Sequence, residues 1–241
     1  MAKRTSTRRR RTRAGPVRRG AAWVLRWAAR GVVVVATLLL IWISVYTVLD
    51  PPTTPYIRSE AARLGGVDRQ WADLEDIAPV MARAAVAAED ANFCLHWGFD
   101  MGAIRTALED GATRGASTIS QQVVKNAFLW QGRSWLRKAL EALMTPVMEL
   151  VWSKRRIIEV YLNVAEFDEG VFGVRAAALH YYGVAAADLT PVQAARLAAV
   201  LPNPKDRSAS QPSAQLRQRA AGIADGAATI AADGRASCFE S

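Results

Sequence analysis

Nineteen consecutive residues, Gly31 to Leu49, carry no charge. The run passes from Val32–Val35 through Leu38–Ile41 to Val48 and Leu49. A helix of roughly 20 apolar residues spans the hydrocarbon core of a bilayer, so this stretch can cross one. Arg26 and Arg30 abut it, and residues 1–30 hold eleven Lys and Arg and no acid. By the positive-inside rule this tail stays in the cytoplasm and the chain from Asp50 onward lies on the other side. A cleaved signal peptide would have a shorter apolar core and a small-x-small site, whereas Asp50, Pro51 and Pro52 follow here directly. The sequence therefore predicts a basic cytoplasmic tail over 1–30, a transmembrane anchor over 31–49 and a domain over 50–241. A buried helix of a soluble protein is the alternative, and the adjoining arginines count against it.

The tail also accounts for the basic character of the chain. Removing its eleven cations from a total of 31 leaves 20 against 22 acidic residues, a net of −2 for residues 31–241. A membrane-tethered nucleic-acid-binding protein would carry basic residues into the domain beside aromatics. This domain does not, and no nucleic-acid partner is expected. Cys94 and Cys238, the two cysteines, both follow the anchor, where disulfides form. They are a disulfide candidate; the alternative is a small buried Cys94 and a Cys238 on a frayed terminus. With His96 and His180 they make no recognisable zinc spacing.

Beyond a stiff exit at Pro51, Pro52 and Pro55, the pattern from about Ile57 is mainly helical. A helix is predicted from about Pro79 to Asn92, ending in an acidic pair, Glu89 and Asp90. If it continues, Glu89, Phe93 and His96 share one face. A carboxylate flanked by alanines and an aromatic is partly desolvated, which raises its pKa toward that of a general base. Taken alone, the pair reads more readily as a solvated helix end. Thr118 followed by Gln121 predicts a capping box, and Thr190-Pro191 with Gln193 predicts another helix start. No acid occurs between Asp110 and Glu141, while Arg114, Lys125, Arg133, Arg137 and Lys138 do. Such cations beside a helix N-terminus suit phosphate oxygens, or form a solvated basic face. Phe128 to Leu136 mixes aromatics and leucine with Arg133, which suits a membrane interface or the core. Pro146 should kink or end a helix starting near Arg137. Lys154–Asn163 reads as an amphipathic helix and Glu166–Gly173 as a loop.

Four motifs in order carry a resemblance. They are Glu89-Asp90-x-x-Phe93-x-x-His96-x-Gly98, Gly115-x-Ser117-Thr118-x-x-Gln121-Gln122-x-x-Lys125-Asn126, Arg137-Lys138-x-x-Glu141 and Ile158-Glu159-x-Tyr161-x-Asn163. Over about residues 57–222 the chain resembles the peptidoglycan glycosyltransferase family, in its monofunctional form. Asp168 and Gln193 depart from the family pattern, which has glycine and glutamate there. The resemblance implies a mainly α, lysozyme-like domain behind a single N-terminal transmembrane helix, with a small membrane-contacting subdomain. It implies a single-pass protein of the cell inner membrane whose periplasmic domain polymerises lipid II into glycan strands by inverting transfer.

Its implied partners are lipid II, the growing glycan strand and membrane lipids, with other cell-wall synthesis and division proteins left open. By the same resemblance Glu89 is the base and Glu141 the second essential carboxylate. Glu141 would orient cations or help hold a divalent metal such as Mg or Mn. Lys125, Arg137 and Lys138 would face the leaving pyrophosphate, with Ser117, Thr118, Gln122 and Asn126 as supporting donors. Asp90, Phe93 and His96 would shape the site, and Tyr161 and Asn163 would be structural. A lytic enzyme of the same fold is the nearest rival; the acid-free basic stretch argues against it. Ser-x-x-Lys occurs nowhere and roughly forty residues follow Pro204, so a penicillin-binding second domain is not expected.

Overall fold

The computed structural model describes residues 16–111 and 117–240, with side chains from Trp23 onward. The basic tail through Gly15, together with Arg114 and Gly115, lies outside the described residues. The elements in chain order are α1 (Pro16–Val45), α2 (Pro55–Leu64), β1 (Asp68–Arg69), α3 (Pro79–Glu89), α4 (Met101–Glu109), α5 (Ile119–Phe128) and α6 (Trp135–Val151). After them come α7 (Lys154–Val164), β2 (Glu166–Asp168), β3 (Val171–Phe172), α8 (Val174–Tyr182), α9 (Pro191–Val200), α10 (Ala214–Ala232) and α11 (Ser237–Glu240). Short 3-10 turns occupy Leu74–Asp76, Phe93–Leu95 and Ala186–Asp188.

The chain up to Ile43 and the chain from Ser44 form two compact units. In the first, Trp23–Val45 is long and apolar enough to cross a membrane, which suggests an anchor. The helix ends at Val45 rather than running to Leu49. Past its end, Arg156 donates to Tyr46 O at 3.0 Å and Leu49 O at 2.9 Å, and pairs with Asp50 at 2.9 Å. Those bonds satisfy carbonyls that a longer helix would have bonded internally.

The second unit is mainly helical, and lysozyme-like as expected. In it α3, α9 and α10 pack on one another, and α5 packs against α6 and α7. The first contact is made of small side chains: Ala84 and Ala85 of α3, Ala194, Ala195, Ala198 and Ala199 of α9, and Ala227 of α10 are buried. At Gly226 a Cβ would stand 3.2 Å from the Cβ of Ala87, so the missing side chain sets how closely α10 approaches α3. Tyr161, Phe93, Phe167, Phe172 and Phe239 fill the wider spaces of the core.

Several local expectations are corrected. The helix of Glu89 stops at Glu89, because Asp90 turns away (φ −160°, ψ 69°) to bond elsewhere. Glu89, Phe93 and His96 therefore do not share a helix face. Pro55 is not part of an extended exit; it opens α2 at N1 behind the cap Thr54. Residues 166–172 are not a plain loop, since β2 and β3 pair antiparallel and β3 pairs parallel with β1. Pro146 lies within α6, which continues to Val151. Immediately before it, the Thr145 hydroxyl donates to Glu141 O at 2.7 Å, adding a tie where proline removes one.

The capping boxes at Thr118/Gln121 and Thr190/Gln193 are both formed. Gln193 thus does the capping work at its departing position. Asp168 accepts from Tyr181 at 2.8 Å and lies 3.1 Å from His180. Cys94 and Cys238 are joined in a disulfide, Cα atoms 5.7 Å apart. It holds α11 where Phe239 packs 6.2 Å from Phe93, ring to ring.

Candidate active site

Three helix ends meet at the site: the C-terminus of α3, the N-terminal half of α5 and the first turns of α6. Each is fixed by a polar device. Asp90 accepts from Ile119 N at 3.0 Å with one carboxylate oxygen and contacts His96 Nε2 at 2.8 Å with the other. A buried carboxylate thereby joins the end of α3 to the start of α5 and favours the α5 N-terminus electrostatically. Phe93 is fully buried beneath it, with the Lys154 ammonium 4.4 Å from the centre of its ring. Gly98 has φ +83°, and a Cβ there would stand 2.6 Å from a Thr145 methyl, so α6 closes over that turn only because it is glycine.

Glu89 is held at the end of α3 with its side chain 12% exposed. Gln122 Nε2 donates to Glu89 Oε2 at 2.9 Å, and Arg219 Nη2 lies 3.8 Å from Glu89 Oε1. Burial pushes the carboxyl above its ordinary range; the Gln122 hydrogen bond and the charges of Arg219, Lys125 and Arg207 pull it back. The carboxylate opens on a cavity shared with Asp90, Asn92, Asp100, Ser117 and Thr118.

Lys125 follows Gln122 by one turn, on the same side of α5. Burial lowers its pKa, Arg137 and Lys138 lower it further, and Glu141 and Glu89 work against that. Glu141 is buried and takes both neighbouring cations: Arg137 Nη1 donates to Oε2 at 2.6 Å and Lys138 Nζ to Oε1. Its two oxygens are thus engaged by a guanidinium and an ammonium. No group of three or more His, Cys, Asp or Glu side chains that could hold a metal occurs among the described residues. That surrounding does not fit a divalent cation at Glu141.

The expected donors divide. Gln122 faces Glu89, and Asn126 lines a cavity with Gln122 and Lys125 while its carbonyl accepts from Gln131 at 3.0 Å. Ser117 is exposed, 3.5 Å from Lys138 Nζ. Thr118 is brought only to the edge, since its hydroxyl donates to Gly98 O at 2.6 Å and caps α5. Asn163 ties α7 to Ala72 through both its amide groups. Tyr161 is buried in the core beside the cavity of Lys125, and its hydroxyl has no hydrogen-bond partner among the described residues. Unanticipated are Arg219, Glu166 and Lys205. Glu166 accepts from Tyr56, and Lys205 Nζ lies 3.8 Å from it across the same cavity. No local pattern marks Arg219, which reads in the sequence as one cation on a solvated helix.

Comparison with known proteins gives the family. A family model described as Transglycosylase matches residues 58–228. The chain is 65% identical over 214 residues to a biosynthetic peptidoglycan transglycosylase of Jannaschia sp. (strain CCS1), covering 89% of this chain and 90% of that protein. It is 48% identical over 211 residues to one of Pectobacterium atrosepticum, covering 82% and 85%. To one of Xanthomonas axonopodis pv. citri it is 45% identical over 221 residues, covering 87% and 89%.

Proposed function

The chain belongs to the transglycosylase family, the glycosyltransferases of peptidoglycan synthesis, and from that premise we propose that it polymerises lipid II with release of undecaprenyl pyrophosphate. The observation carrying the reading is a single helix, α5, that presents Gln122 to a buried carboxylate and Lys125 to a cation group organised by Glu141.

Glu89 takes the proton from the 4-hydroxyl of the acceptor sugar as that oxygen attacks the anomeric carbon of the donor. The new C–O bond forms opposite the bond to pyrophosphate, which leaves with its electron pair. An α-linked donor so becomes a β-linked product. The raised pKa of Glu89 makes it a stronger base than a solvated carboxylate, while Gln122 and Arg219 keep it ionised. Lys125, Arg137 and Lys138 stabilise the charge growing on the leaving phosphate, in a site where they are already in place. Glu141 holds two of these cations in register without neutralising the group, since three positive charges face one negative.

The anchor helix suits a substrate that is itself embedded in a membrane. We place the protein in the inner membrane with its tail cytoplasmic and its domain periplasmic, working on lipid II and the growing strand. Incubating full-length protein in lipid vesicles with lipid II tests the reading. Polymer and released undecaprenyl pyrophosphate are expected; cleavage of finished glycan without polymer would assign the lytic alternative.

A further inference from the structure

We propose that Arg219 is a positioning residue for this reaction, reaching across from α10 to hold Glu89 in its proton-accepting form. The inference rests on the reading of Glu89 as the base. Arg219 Nη2 lies 3.8 Å from Glu89 Oε1 and 3.4 Å from Ala88 O. One guanidinium therefore meets both the carboxylate and the last turn of the helix carrying it. The other oxygen of Glu89 is held by Gln122 from α5. The base is gripped from two elements, and only the grip from α10 brings charge.

Groups facing Glu89 from every side differ in what they can do. Asp90, next in the chain, is committed to His96 and to Ile119 N. Tyr161 on α7 stays neutral, its pKa raised first by burial and then by Glu89 and Asp90. Lys125 on α5 also responds to Glu141 and, in the proposed reaction, to the pyrophosphate. Arg207, after α9, donates to Ala199 O at 3.0 Å. Arg219 is thus the cation in contact with Glu89 that stays when the donor engages Lys125, while Arg207 adds the smallest of the three charges acting on it and makes no ion pair with it. An arginine does not give up its proton, so it supports an ionised carboxylate without competing as an acid. Its side chain is 41% exposed, so solvent screens the charge and the effect is several-fold rather than many orders of magnitude.

The test is the rate of lipid II polymerisation against pH, using full-length protein in lipid vesicles, for wild type, Arg219→Gln, Arg219→Lys and Glu89→Gln. An ionised base is required, so removing the positive charge should move the acidic limb of the profile to higher pH. Arg219→Gln should be several-fold slower on that limb and converge with wild type at alkaline pH, with KM unchanged. Arg219→Lys should restore the limb. An unmoved limb with a lowered melting temperature would reduce Arg219 to a cap on α3, and a change in KM alone would make it a substrate contact; either overturns the proposal. Turnover by Glu89→Gln would overturn the base assignment itself, and the proposal with it. Should Arg219→Gln melt below the assay temperature, Arg219→Met, which keeps the apolar stem, takes its place.

Discussion

Gln122 Nε2 donates to Glu89 Oε2 across 2.9 Å, joining α5 to the end of α3 at the carboxylate itself. Because Lys125 lies one turn further along α5, the same helix sets the position of both charges. A shift of α5 would therefore disturb base and cation together. Asp90, by accepting from Ile119 N, prevents that shift at the helix start.

Glu89→Gln should keep the fold and lose ~10²–10⁴-fold in polymerisation rate, the usual contribution of a general base. The amide keeps the shape but cannot take the proton. In wild type, burial raises the Glu89 pKa, so activity should fall with decreasing pH at a point above the ordinary carboxylate range. Lys125 shifts the other way, so its protonated form, and the activity, should fade below the ordinary lysine range as pH rises. Initial rates of lipid II consumption across pH measure both limbs. A profile flat down to the ordinary carboxylate range would remove Glu89 from the chemistry.

Lys125→Ala and Arg137→Ala should each weaken donor binding and turnover together. A charge-assisted hydrogen bond in a shielded site contributes about 1.5–3 kcal/mol, which corresponds to a loss of roughly 10- to 150-fold. Arg137→Ala should also lower the melting temperature, because it leaves Glu141, 3% exposed at the side chain, with Lys138 as its remaining partner. Binding of a phosphoglycolipid inhibitor, followed by fluorescence, separates the variants from wild type. Equal binding by all three would return these residues to a solvated face.

What the sequence made legible was local. The boxes at Thr118/Gln121 and Thr190/Gln193 are readable because a cap is decided within four residues. The clustering of Arg137, Lys138 and Glu141 follows equally from helical spacing. The end of α3 was not legible, because the groups that draw Asp90 out of the helix include Ile119 N, 29 residues later. β2 and β3 were missed for the same reason: pairing Val171 with Asp68 is a long-range event and each strand is too short for a periodic signal. Arg219 reaches Glu89 only through the packing of α10 on α3, which alanines and Gly226 permit and no motif announces.

The aromatic segment divides between the two readings open to it. Phe128 and Leu129 are in the core, whereas Trp135 is 92% exposed and Leu136 66% exposed. Leu143 and Leu150, farther along α6, are exposed as well. A stripe of this kind on a surface helix suits the interfacial zone of a bilayer. A protein lacking the first compact unit should therefore still cosediment with anionic lipid vesicles. Trp135→Ser with Leu136→Ser should reduce that binding without changing the melting temperature, since neither side chain contributes to the core. Equal cosedimentation of the double variant would take the membrane contact off this stripe, and no cosedimentation of the anchorless protein would leave the anchor as the sole membrane contact.

Reduction of the Cys94–Cys238 disulfide should lower stability more than activity. The bond closes a loop of 144 residues, for which chain entropy alone gives roughly 4–5 kcal/mol, an upper figure where the reduced chain stays partly compact. For a domain of this size that is a fall in melting temperature on the order of ten degrees. Loss of activity should be smaller, because other ties hold α11 and the segment after Glu89 when the sulfurs part. Arg83 pairs with Glu240 at 2.6 Å, Arg155 donates to Phe239 O at 3.1 Å and Arg235 to Ala91 O at 3.1 Å. Phe239 itself is fully buried against Phe93. Thermal melts of oxidised, reduced and Cys94→Ser/Cys238→Ser protein, with polymerisation measured below the lowest melting temperature, check both parts. Equal melting of all three forms would show that the apolar seat of Phe239, the Arg83–Glu240 pair and these hydrogen bonds suffice without the bond, and a complete loss of activity on reduction would place the bond in control of Glu89.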